Sequence, residues 1–371
     1  MDIRSNPDQI DPAWMTNVLQ ARCPGCEVTG LSGESIGTGQ VGENVRFTLT
    51  GHGVPTSVVG KFPSLDPVSK QTGILQRNYV REVFFYQSLQ EAVNIQTPLI
   101  YHAEIDPASH EFVLLMEDLA PGVQGDQLQG CSVDQAALAL EQLAHLQGPK
   151  WGDEALAKHD LLLGSTDRQD STMITELYKG LMPGYLDRYG AQLTDGEVAA
   201  TEQLLELIPT YQALYGNKPP VLIHVDYRLD NMMFGGPYPL TVVDWQSLTM
   251  GCPLNDVSYF MGTSLLGPDR DQEEAALIRH YLGVLKSYGV DLKFDDAFAY
   301  YRNYAPAGMI MALIASMIVG ETERGNDMFM VMAKRSIEMS RSLGVLNQAR
   351  LGARAGFAGR WLNRSESLCA A

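Results

Sequence analysis

The chain has 371 residues, of which 45% are hydrophobic and 19% are charged. At roughly 100–200 residues per domain, this length suggests two domains or one large bilobed domain with a sizeable core. Lys and Arg number 27 and Asp and Glu number 44, which gives a net charge of −17. That charge repels polyanions and argues against sequence-independent nucleic-acid binding, but a small anion needs only a few local donors.

The five cysteines are few and scattered, which is typical of reduced intracellular proteins rather than of a disulfide framework. Cys23 and Cys26 form a C-x-x-C pair, but no second pair or nearby His supplies further zinc ligands. The N-terminal residues lack the apolar core of a signal peptide. The longest apolar stretch, 307–319, is shorter than the roughly 20 residues that span a bilayer, so we expect a buried helix there. We therefore expect a cytoplasmic protein without membrane partners.

The first third of the chain has the pattern of strands around one long helix. Asp11 followed by Pro12 predicts a helix start, because Asp caps helices and Pro suits the first helical position. LSGESIG predicts a glycine-rich turn, and VRFTLT alternates apolar and polar residues as a strand does. TSVVGKF, PLIYHAEI and EFVLLMEDL are further strand-like runs. Apolar residues between 71 and 93 recur at helical spacing, which predicts one long helix.

After residue 118 the pattern becomes mainly helical. SVDQAALALEQLAHLQG predicts a capped amphipathic helix, and VLIHVDYRLDNMMFGGPYPLTVVDW predicts a strand–loop–strand island. We therefore predict an α+β, bilobed chain. Residues 1–118 would form a β-rich N-terminal lobe with one long helix, and residues 119–371 would form a mainly helical C-terminal lobe.

The strongest chemical signal is HVDYRLDN, which is followed by an Asp at the end of the apolar run LTVV. Asn231 comes five residues after Asp226, and Asp244 comes thirteen residues later. Phosphoryl transfer needs one carboxylate to accept a hydroxyl proton, and an amide oxygen and a second carboxylate to hold Mg²⁺ against nucleotide phosphates. A polar turn with Asp230 and Asn231 as turn formers is the alternative. The three spaced side chains together favour the catalytic interpretation.

Three glycines, Gly37, Gly39 and Gly42, form a G-x-G-x-x-G pattern. In a dinucleotide-binding fold, a helix would follow at once and an acidic residue would come about 20 residues later. Here a strand pattern follows, so the glycines are expected at the tip of a hairpin that offers N–H groups to phosphates. An ordinary glycine-rich turn is the alternative.

Lys61 ends the strand SVVGK, and Glu82 lies within the predicted long helix. A strand Lys that is held by a helix Glu positions the inner phosphates of a nucleotide. The alternative is a surface Lys and a solvated Glu, and Glu91 is a second candidate on the same helix. The order along the chain, from glycines to Lys, Glu, His-x-Asp and Asp, favours the functional interpretation.

With these residues in order, the chain resembles the small-molecule branch of the eukaryotic-like kinase fold. That branch contains the aminoglycoside and choline phosphotransferases and the ecdysteroid-kinase-like (CHK kinase-like) proteins, and the likeness is greatest to bacterial phosphotransferases related to the last group. The resemblance extends from about residue 31 to residue 260. It rests on GTGQVGENVRFTL, SVVGKF, REVFFYQSL, FVLLMEDL, GDQLQGCS, HVDYRLDNMMF and VVDWQSLTMGCPLNDVSYF.

The resemblance implies an ATP- and Mg²⁺-dependent O-phosphotransferase that transfers the γ-phosphate to a hydroxyl of a small molecule. Asp226 would be the catalytic base, and Arg228 would place a cation near the γ-phosphate. The resemblance also implies several binding roles, for the Mg²⁺ ligands Asn231 and Asp244, for the phosphate-positioning pair Lys61 and Glu82, for the glycines Gly37, Gly39 and Gly42, and for the adenine hinge with Met116, Glu117 and Leu119. Asp256 resembles a family Asp that braces the catalytic loop.

The chain departs from the family pattern at four places. Gln147 stands where small-molecule kinases of the family commonly have His. Trp245-Gln246 stands where protein kinases have Phe-Gly, and Val225 stands where the family has a glycine. No Ala-Pro-Glu follows, so a peptide-binding activation segment is not evident.

Other functions remain open. A catalytically silent nucleotide-binding module is the first alternative, although it need not retain all of Asp226, Asn231 and Asp244. A nicotinamide oxidoreductase built on the glycines is the second, and the following strand disfavours it. The acceptor, a preference for ATP or GTP, the oligomeric state and the role of the C-terminal arginines (Arg350, Arg354, Arg360 and Arg364) are not fixed by the sequence.

Overall fold

The structure is a computed structural model that describes residues 3–37, 42–163, 173–215 and 220–346, with the backbone alone for residues 210–215. Gly39 and the four C-terminal arginines lie outside these residues. The chain divides into two compact units. The first comprises Met1–Ala92, Gln96–Val123 and Met233–Leu248, and the second comprises Val93–Ile95, Gln124–Met232 and Thr249–Ala371. The lobes 1–118 and 119–371 stay a prediction.

The first part of the chain is rich in strands. Its elements are α1 (Pro12–Leu19), β1 (Glu27–Ile36), β2 (Gly42–His52), β3 (Ser57–Pro63), α2 (Pro67–Leu75), α3 (Asn78–Phe84), β4 (Ile100–Ile105), β5 (Phe112–Glu117) and β6 (Val123–Gln124). A five-stranded antiparallel sheet has the order β1-β2-β3-β5-β4. The strands predicted for VRFTLT, TSVVGKF, PLIYHAEI and EFVLLMEDL are therefore confirmed as β2, β3, β4 and β5.

The rest of the chain is mainly helical. Its elements are α4 (Val133–Gln147), α5 (Glu154–Ala157), α6 (Met173–Tyr189), α7 (Asp195–Tyr215), β7 (Val221–Ile223), β8 (Met232–Phe234), β9 (Leu240–Val242), β10 (Thr249–Gly251), α8 (Pro253–Ser264), α9 (Gly267–Ser287), α10 (Phe294–Asn303), α11 (Ala307–Ile318) and α12 (Glu323–Ser342). Strands β7 and β10 form an antiparallel pair, and β6, β8 and β9 form a small sheet.

Two predicted helix starts are confirmed by their caps. The Asp11 carboxylate accepts a hydrogen bond from the backbone N–H of Trp14 at 2.8 Å, which satisfies a donor that the helix leaves unpaired. Ser132 and Gln135 bond each other's backbone N–H groups at the start of α4, as a capping box does. The predicted buried helix near residues 307–319 is α11.

The glycine-rich turn predicted for LSGESIG is wrong, because residues 31–36 belong to β1. Gly33 pairs with Phe47 of β2, and a Cβ atom added to Gly33 would lie 3.1 Å from Cγ1 of Val45. The missing side chain therefore makes room for apolar residues of β2. Cross-strand pairing here outweighs the low strand propensity of glycine.

The single long helix predicted for residues 71–93 is also wrong. It breaks between α2 and α3, where Arg77 adopts a left-handed conformation with φ of 59°. Tyr79 lies so close to Gly73 that an added Cβ atom would be 2.6 Å from its ring. After α3, a π-helical turn (Phe85–Leu89) and a short 3₁₀ turn replace the regular helix. Packing of the aromatic side chains therefore shapes this segment more than the helical periodicity does.

No helix among the described parts of the chain combines the length and apolar character needed to cross a membrane.

Gly148, which directly follows α4, packs closely against Tyr288 in the second unit. A Cβ atom added to Gly148 would lie 2.3 Å from Cδ2 of Tyr288. The Tyr288 hydroxyl is fixed by hydrogen bonds to Nδ1 of His145 at 2.7 Å and to the amide of Asn94 at 3.0 Å. Because the ring cannot move freely, we expect Gly148→Ala to lower the free energy of unfolding by about 1–3 kcal/mol in urea titrations.

Gly180→Ala is the matched control. Gly180 lies inside α6 and an added Cβ atom meets no atom within 4 Å. We expect this variant to be more stable than the wild type by about 0.5–1 kcal/mol, because alanine favours the helix. Wild-type stability of Gly148→Ala would contradict the described packing of Tyr288.

Candidate active site

In the first unit, two segments bring carboxylate side chains to Lys61. The Lys61 Nζ atom on β3 lies 2.8 Å from Oε1 of Glu82 on α3 and 3.0 Å from Oδ1 of Asp244, which follows β9. The side chains of Lys61 and Glu82 are only 11% and 2% exposed. The structure thus pairs the strand Lys with Glu82 and adds the strand-end Asp244 to the same cluster.

The charges in this cluster stabilise one another. Burial by itself would lower the pKa of Lys61, but the charges of Asp244 and Glu82 outweigh it and raise that pKa above its ordinary value. Burial raises the pKa of Glu82, and the Lys61 charge and the backbone N–H of Trp245 oppose the rise. The Lys61 ammonium group is therefore charged and held in one position, which suits a group that binds phosphates.

Asp244 is held in a tight turn. Its backbone has φ of 69°, a left-handed conformation that Asp adopts more readily than most residues do. Its Oδ2 atom accepts a hydrogen bond from the Gln246 amide at 3.2 Å, while its Oδ1 atom contacts Lys61. The next residue, Trp245, is fully buried and stacks on Phe85 with ring centroids 3.8 Å apart.

The glycine hairpin is described at its two ends. Gly37 follows β1 with φ of 75°, and Gly42 begins β2. A Cβ atom at Gly42 would lie 3.1 Å from the Phe62 carbonyl oxygen and 3.4 Å from Cε of Lys61, so only glycine leaves this space open. A strand follows the glycines, so the helix that a dinucleotide-binding motif requires is not there.

The predicted hinge lies at the end of β5. Met116 and Glu117 are the last residues of this strand, and Leu119 is buried. The Glu117 carboxylate accepts the N–H of Leu99 at 2.7 Å. Asp118 lies inside the predicted hinge, but the sequence did not predict its side-chain contacts. Its carboxylate binds the Arg46 guanidinium through both oxygens, at 2.6 and 3.1 Å, and accepts the Ser57 hydroxyl at 2.7 Å. Adenine binding by the hinge backbone stays a prediction.

In the second unit, two side chains of the loop between β7 and β8 and one side chain of α8 fix the carboxylate of Asp226. Its Oδ1 atom accepts hydrogen bonds from Nε of Arg228 and from the Tyr259 hydroxyl, both at 2.9 Å. Its Oδ2 atom accepts the side-chain amide of Asn231 at 3.0 Å. The three donors leave the carboxylate little rotational freedom.

These donors also keep Asp226 ionised. Burial by itself would raise its pKa, but the charges of Arg228 and His224 and the hydrogen bonds from Tyr259 and Asn231 leave the pKa below its ordinary value. An ionised, oriented carboxylate can accept a proton or a hydrogen bond from a hydroxyl group. Tyr259 was not found from the sequence, although it lies three residues after Asp256 on α8 and so shares its helix face.

Asp256 braces the start of the same loop. Its carboxylate accepts the backbone N–H groups of His224 at 2.6 Å and Val225 at 3.1 Å. Val225 has φ of 73°, a left-handed conformation that costs about 1–2 kcal/mol for a residue with a side chain. The two hydrogen bonds hold the loop in this strained form, as the resemblance implied for Asp256.

The candidate residues therefore form two sets, each within one unit. Lys61, Glu82 and Asp244 cluster in the first unit, and Asp226, Arg228 and Asn231 cluster in the second. Within the described ranges, no group of three or more His, Cys, Asp or Glu side chains could hold a metal ion. A cation site on Asn231 and Asp244 stays a prediction.

Asp256 makes the free energy of unfolding depend on pH. Burial raises its pKa in the folded protein to about 7, from an ordinary value of 3.8. Between these values the folded protein holds a proton that the unfolded chain has released, so the stabilisation is largest at low pH and is lost as pH rises through 7. We expect the wild type to lose about 2 kcal/mol more than Asp256→Asn between pH 5 and pH 8, as measured by urea titrations.

The control is Asp295→Asn, which removes an exposed carboxylate from α10. It should keep the wild-type pH dependence. The same pH dependence in Asp256→Asn and in the wild type would contradict the assignment to Asp256.

Comparison with known proteins places the chain in a family. It matches the model of the phosphotransferase enzyme family over residues 35–291. No curated protein matches it.

Three solved structures are similar to the chain in fold. Choline kinase from Cryptosporidium parvum has a TM-score of 0.53 and 11% identity, and the match covers 91% of this chain and 99% of that one. Ethanolamine kinase from Plasmodium vivax has a TM-score of 0.52 and 13% identity, with 91% of each chain covered. The GDP complex of wild-type aminoglycoside 2'-phosphotransferase-IIIa has a TM-score of 0.50 and 14% identity, with 88% and 99% covered.

These structures confirm the predicted α+β, kinase-like fold. The family match spans the candidate residues of both units and confirms the resemblance to small-molecule phosphotransferases, whereas the nearer likeness to CHK kinase-like proteins stays a prediction. The chain belongs to the phosphotransferase enzyme family.

Proposed function

We propose that the protein is an ATP- and Mg²⁺-dependent O-phosphotransferase that acts on a hydroxyl group of a small molecule. The observation that carries the proposal is the Asp226 carboxylate, which is ionised and held by Arg228, Tyr259 and Asn231. A base in this form suits the removal of a proton from an acceptor hydroxyl. Membership in the phosphotransferase enzyme family gives this base its reaction class.

The first unit would bind the nucleotide. Lys61 is a fixed cation between Glu82 and Asp244, and it suits the negative charge of the inner phosphates. Gly37 and Gly42 have no side chain, so the backbone at these two residues would approach the phosphates closely. Met116, Glu117 and Leu119 would supply the hinge for adenine. The similar aminoglycoside phosphotransferase whose structure contains GDP supports a purine nucleotide as donor.

The side chains assigned to Mg²⁺ have the chemistry that this ion prefers. Both hydrogen-bonding contacts of the Asn231 side chain to Asp226 use its NH₂ group, which directs the amide oxygen elsewhere. Asp244 offers carboxylate oxygens, so the donor set is hard and all oxygen. Asn231 and Asp244 would hold the ion, which neutralises charge on the phosphates when it is bound.

In the proposed reaction, Asp226 accepts the proton of the acceptor hydroxyl. The hydroxyl oxygen forms a bond to the γ-phosphorus while the bond from that phosphorus to the β-phosphate oxygen breaks, and ADP leaves. Arg228 keeps the carboxylate oriented, and its positive charge offsets negative charge that develops nearby. Choline, ethanolamine and aminoglycosides, which the names of the similar structures mention, fit the acceptor class of a small hydroxylated molecule.

Asp226→Asn separates catalysis from binding. We expect the turnover of Mg-ATP with a responsive acceptor to fall by roughly 10²–10⁴-fold, because the amide cannot accept the proton. The KM for ATP should stay close to the wild-type value, since Asp226 and Lys61 belong to separate clusters. The measurement is steady-state ADP formation with a panel of steroid, hydroxyacyl thioester, amino alcohol, sugar and antibiotic acceptors. Asp295→Asn is the control, and equal losses in binding and turnover would refute the base assignment.

Asp244→Asn tests the nucleotide and metal side. Mg-ATP at a hundred times its dissociation constant should stabilise the wild type by about 2.7 kcal/mol, which is visible as a rise in melting temperature. We expect little or no rise for Asp244→Asn, because the variant loses a cation ligand and a partner of Lys61. Thermal unfolding with ATP, GTP and ATP plus EDTA makes the comparison, and the melting temperature without ligand controls for folding.

If neither ATP nor GTP stabilises the wild type, the proposed function is wrong. If Mg-ATP stabilises the wild type but no acceptor of the panel accelerates ADP formation and Asp226→Asn changes nothing, the silent nucleotide-binding module is the better description.

A further inference from the structure

The segment GDQLQGCS, which contributes to the family resemblance, contacts the loop between β7 and β8. Its Gln127 is fully buried and lies against the second half of the catalytic loop. The Gln127 side-chain oxygen accepts the N–H of Leu229 at 2.9 Å, and its backbone N–H donates to Oδ1 of Asp230 at 3.1 Å. Its side-chain amide donates to the Thr263 carbonyl oxygen at 2.8 Å. Gln127 therefore ties this part of the loop to α8.

Asp230 has no free acceptor position for a substrate or an ion. Besides Gln127, its Oδ1 atom accepts Nη2 of Arg324 at 3.0 Å. Its Oδ2 atom accepts Nη1 of Arg228 at 2.8 Å and Nη1 of Arg324 at 2.9 Å. The side chain is 9% exposed, so these four donors take the place of water. Asp230 is therefore suited to hold its neighbours in place.

Arg324 reaches Asp230 from an unfavourable position. It is the second residue of α12, after the N-cap Thr322, where the partial positive charge of the helix end repels a cation. The bidentate contact with Asp230, and a longer one to Asp126 at 3.4 Å, offset this repulsion. An arginine at this position is explained by its ion pairs rather than by the stability of the helix.

Arg228 connects Asp230 to the candidate base. Its Nη1 atom donates to Asp230, and its Nε atom donates to Asp226 at 2.9 Å. The same Nη1 atom contacts the Met328 sulfur of α12 at 3.0 Å. The chain of contacts therefore runs from Arg324 through Asp230 and Arg228 to the Asp226 carboxylate, and α12 contacts it at two points.

We propose that Arg324 is a positioning residue, which fixes the orientation of the Asp226 carboxylate through Asp230 and Arg228. The inference rests on the proposed function, in which Asp226 is the base. When Arg324 is removed, Asp230 keeps a single cationic partner and draws the Arg228 guanidinium towards itself. The Nε contact to Asp226 then lengthens, and a small misplacement of a base lowers turnover strongly.

The direct test compares Arg324→Met with Arg324→Lys. With Mg-ATP as the probe and release of inorganic phosphate as the readout, we expect Arg324→Met to lower kcat about tenfold with an unchanged KM for ATP. Arg324→Lys should recover part of the loss, because an ammonium group restores the charge but only one of the two bonds. Lys334→Met, which removes a cation from the same helix, is the control and should behave as the wild type. A wild-type kcat for Arg324→Met would overturn the proposal.

A double-mutant cycle tests the route through Asp230. If Arg324 acts through this carboxylate, Arg324→Met in an Asp230→Asn background should lower kcat less than twofold further. Multiplicative losses would show that Arg324 acts independently of Asp230, and they would overturn the proposed route.

Amide hydrogen exchange separates this inference from the proposed function. We expect the peptide that contains residues 224–234 to exchange faster in Arg324→Met than in the wild type and in Lys334→Met. If neither ATP nor GTP stabilises the wild type, the proposed function fails. Where that happens, or where the wild type releases no phosphate from Mg-ATP or Mg-GTP in the absence of an acceptor, exchange alone decides the positioning role. Unchanged exchange in Arg324→Met would then overturn it, whereas faster exchange confined to this peptide would support it.

Discussion

The burial of Lys61 is the constraint on which the first unit depends. An ammonium group taken out of water loses several kcal/mol of solvation unless opposite charges surround it. Glu82 and Asp244 supply those charges from segments that are far apart in sequence, so β3, α3 and the turn after β9 must converge on one point. Trp245 in this turn stacks on Phe85, the residue that directly follows α3, so an uncharged contact also holds these two segments together. Electrostatic and aromatic contacts therefore enforce the same arrangement, and a phosphate-binding cation is held in place before any ligand arrives.

The second unit meets the same physical requirement with a half-buried anion. Asp226 has lost most of its water, and hydrogen bonds from Arg228, Tyr259 and Asn231 replace it. The loop that carries Asp226, Arg228 and Asn231 is anchored at two places, by Asp256 at its start and by Gln127 in its second half. Both anchors bind backbone N–H groups, so they fix the path of the loop itself. The position of the base is then determined by the backbone as well as by side-chain contacts.

Short sequence patterns predicted the strands and helix starts, because interactions between nearby residues determine them. Features that depend on contacts between distant segments could not be predicted in this way. The alternation of VRFTLT and the caps at Asp11 and Ser132 act over a few residues, and the corresponding elements were found. The break at Arg77 depends on where the Tyr79 ring packs, and no residue type marks a left-handed arginine. The order of glycines, Lys, Glu and Asp along the chain predicted that Lys61 pairs with Glu82, which the structure shows. The roles of the candidate residues came from the family resemblance and stay predictions. Arg324 lies 94 residues from Asp230, and no spacing rule connects them.

Two departures from the family pattern have a feature in common. At each position a residue with a side chain replaces a glycine, and hydrogen bonds to a carboxylate hold the backbone there. Val225 has a strained backbone conformation that glycine would adopt without strain. The Asp256 carboxylate offsets this strain, because it accepts hydrogen bonds from two backbone N–H groups. Gln246, in the place of the glycine of protein kinases, binds the Asp244 carboxylate at 3.2 Å. Each replacement removes backbone freedom next to a residue that is assigned to the chemistry. The backbone at these positions is already ordered before a ligand binds, so less conformational entropy is lost on binding.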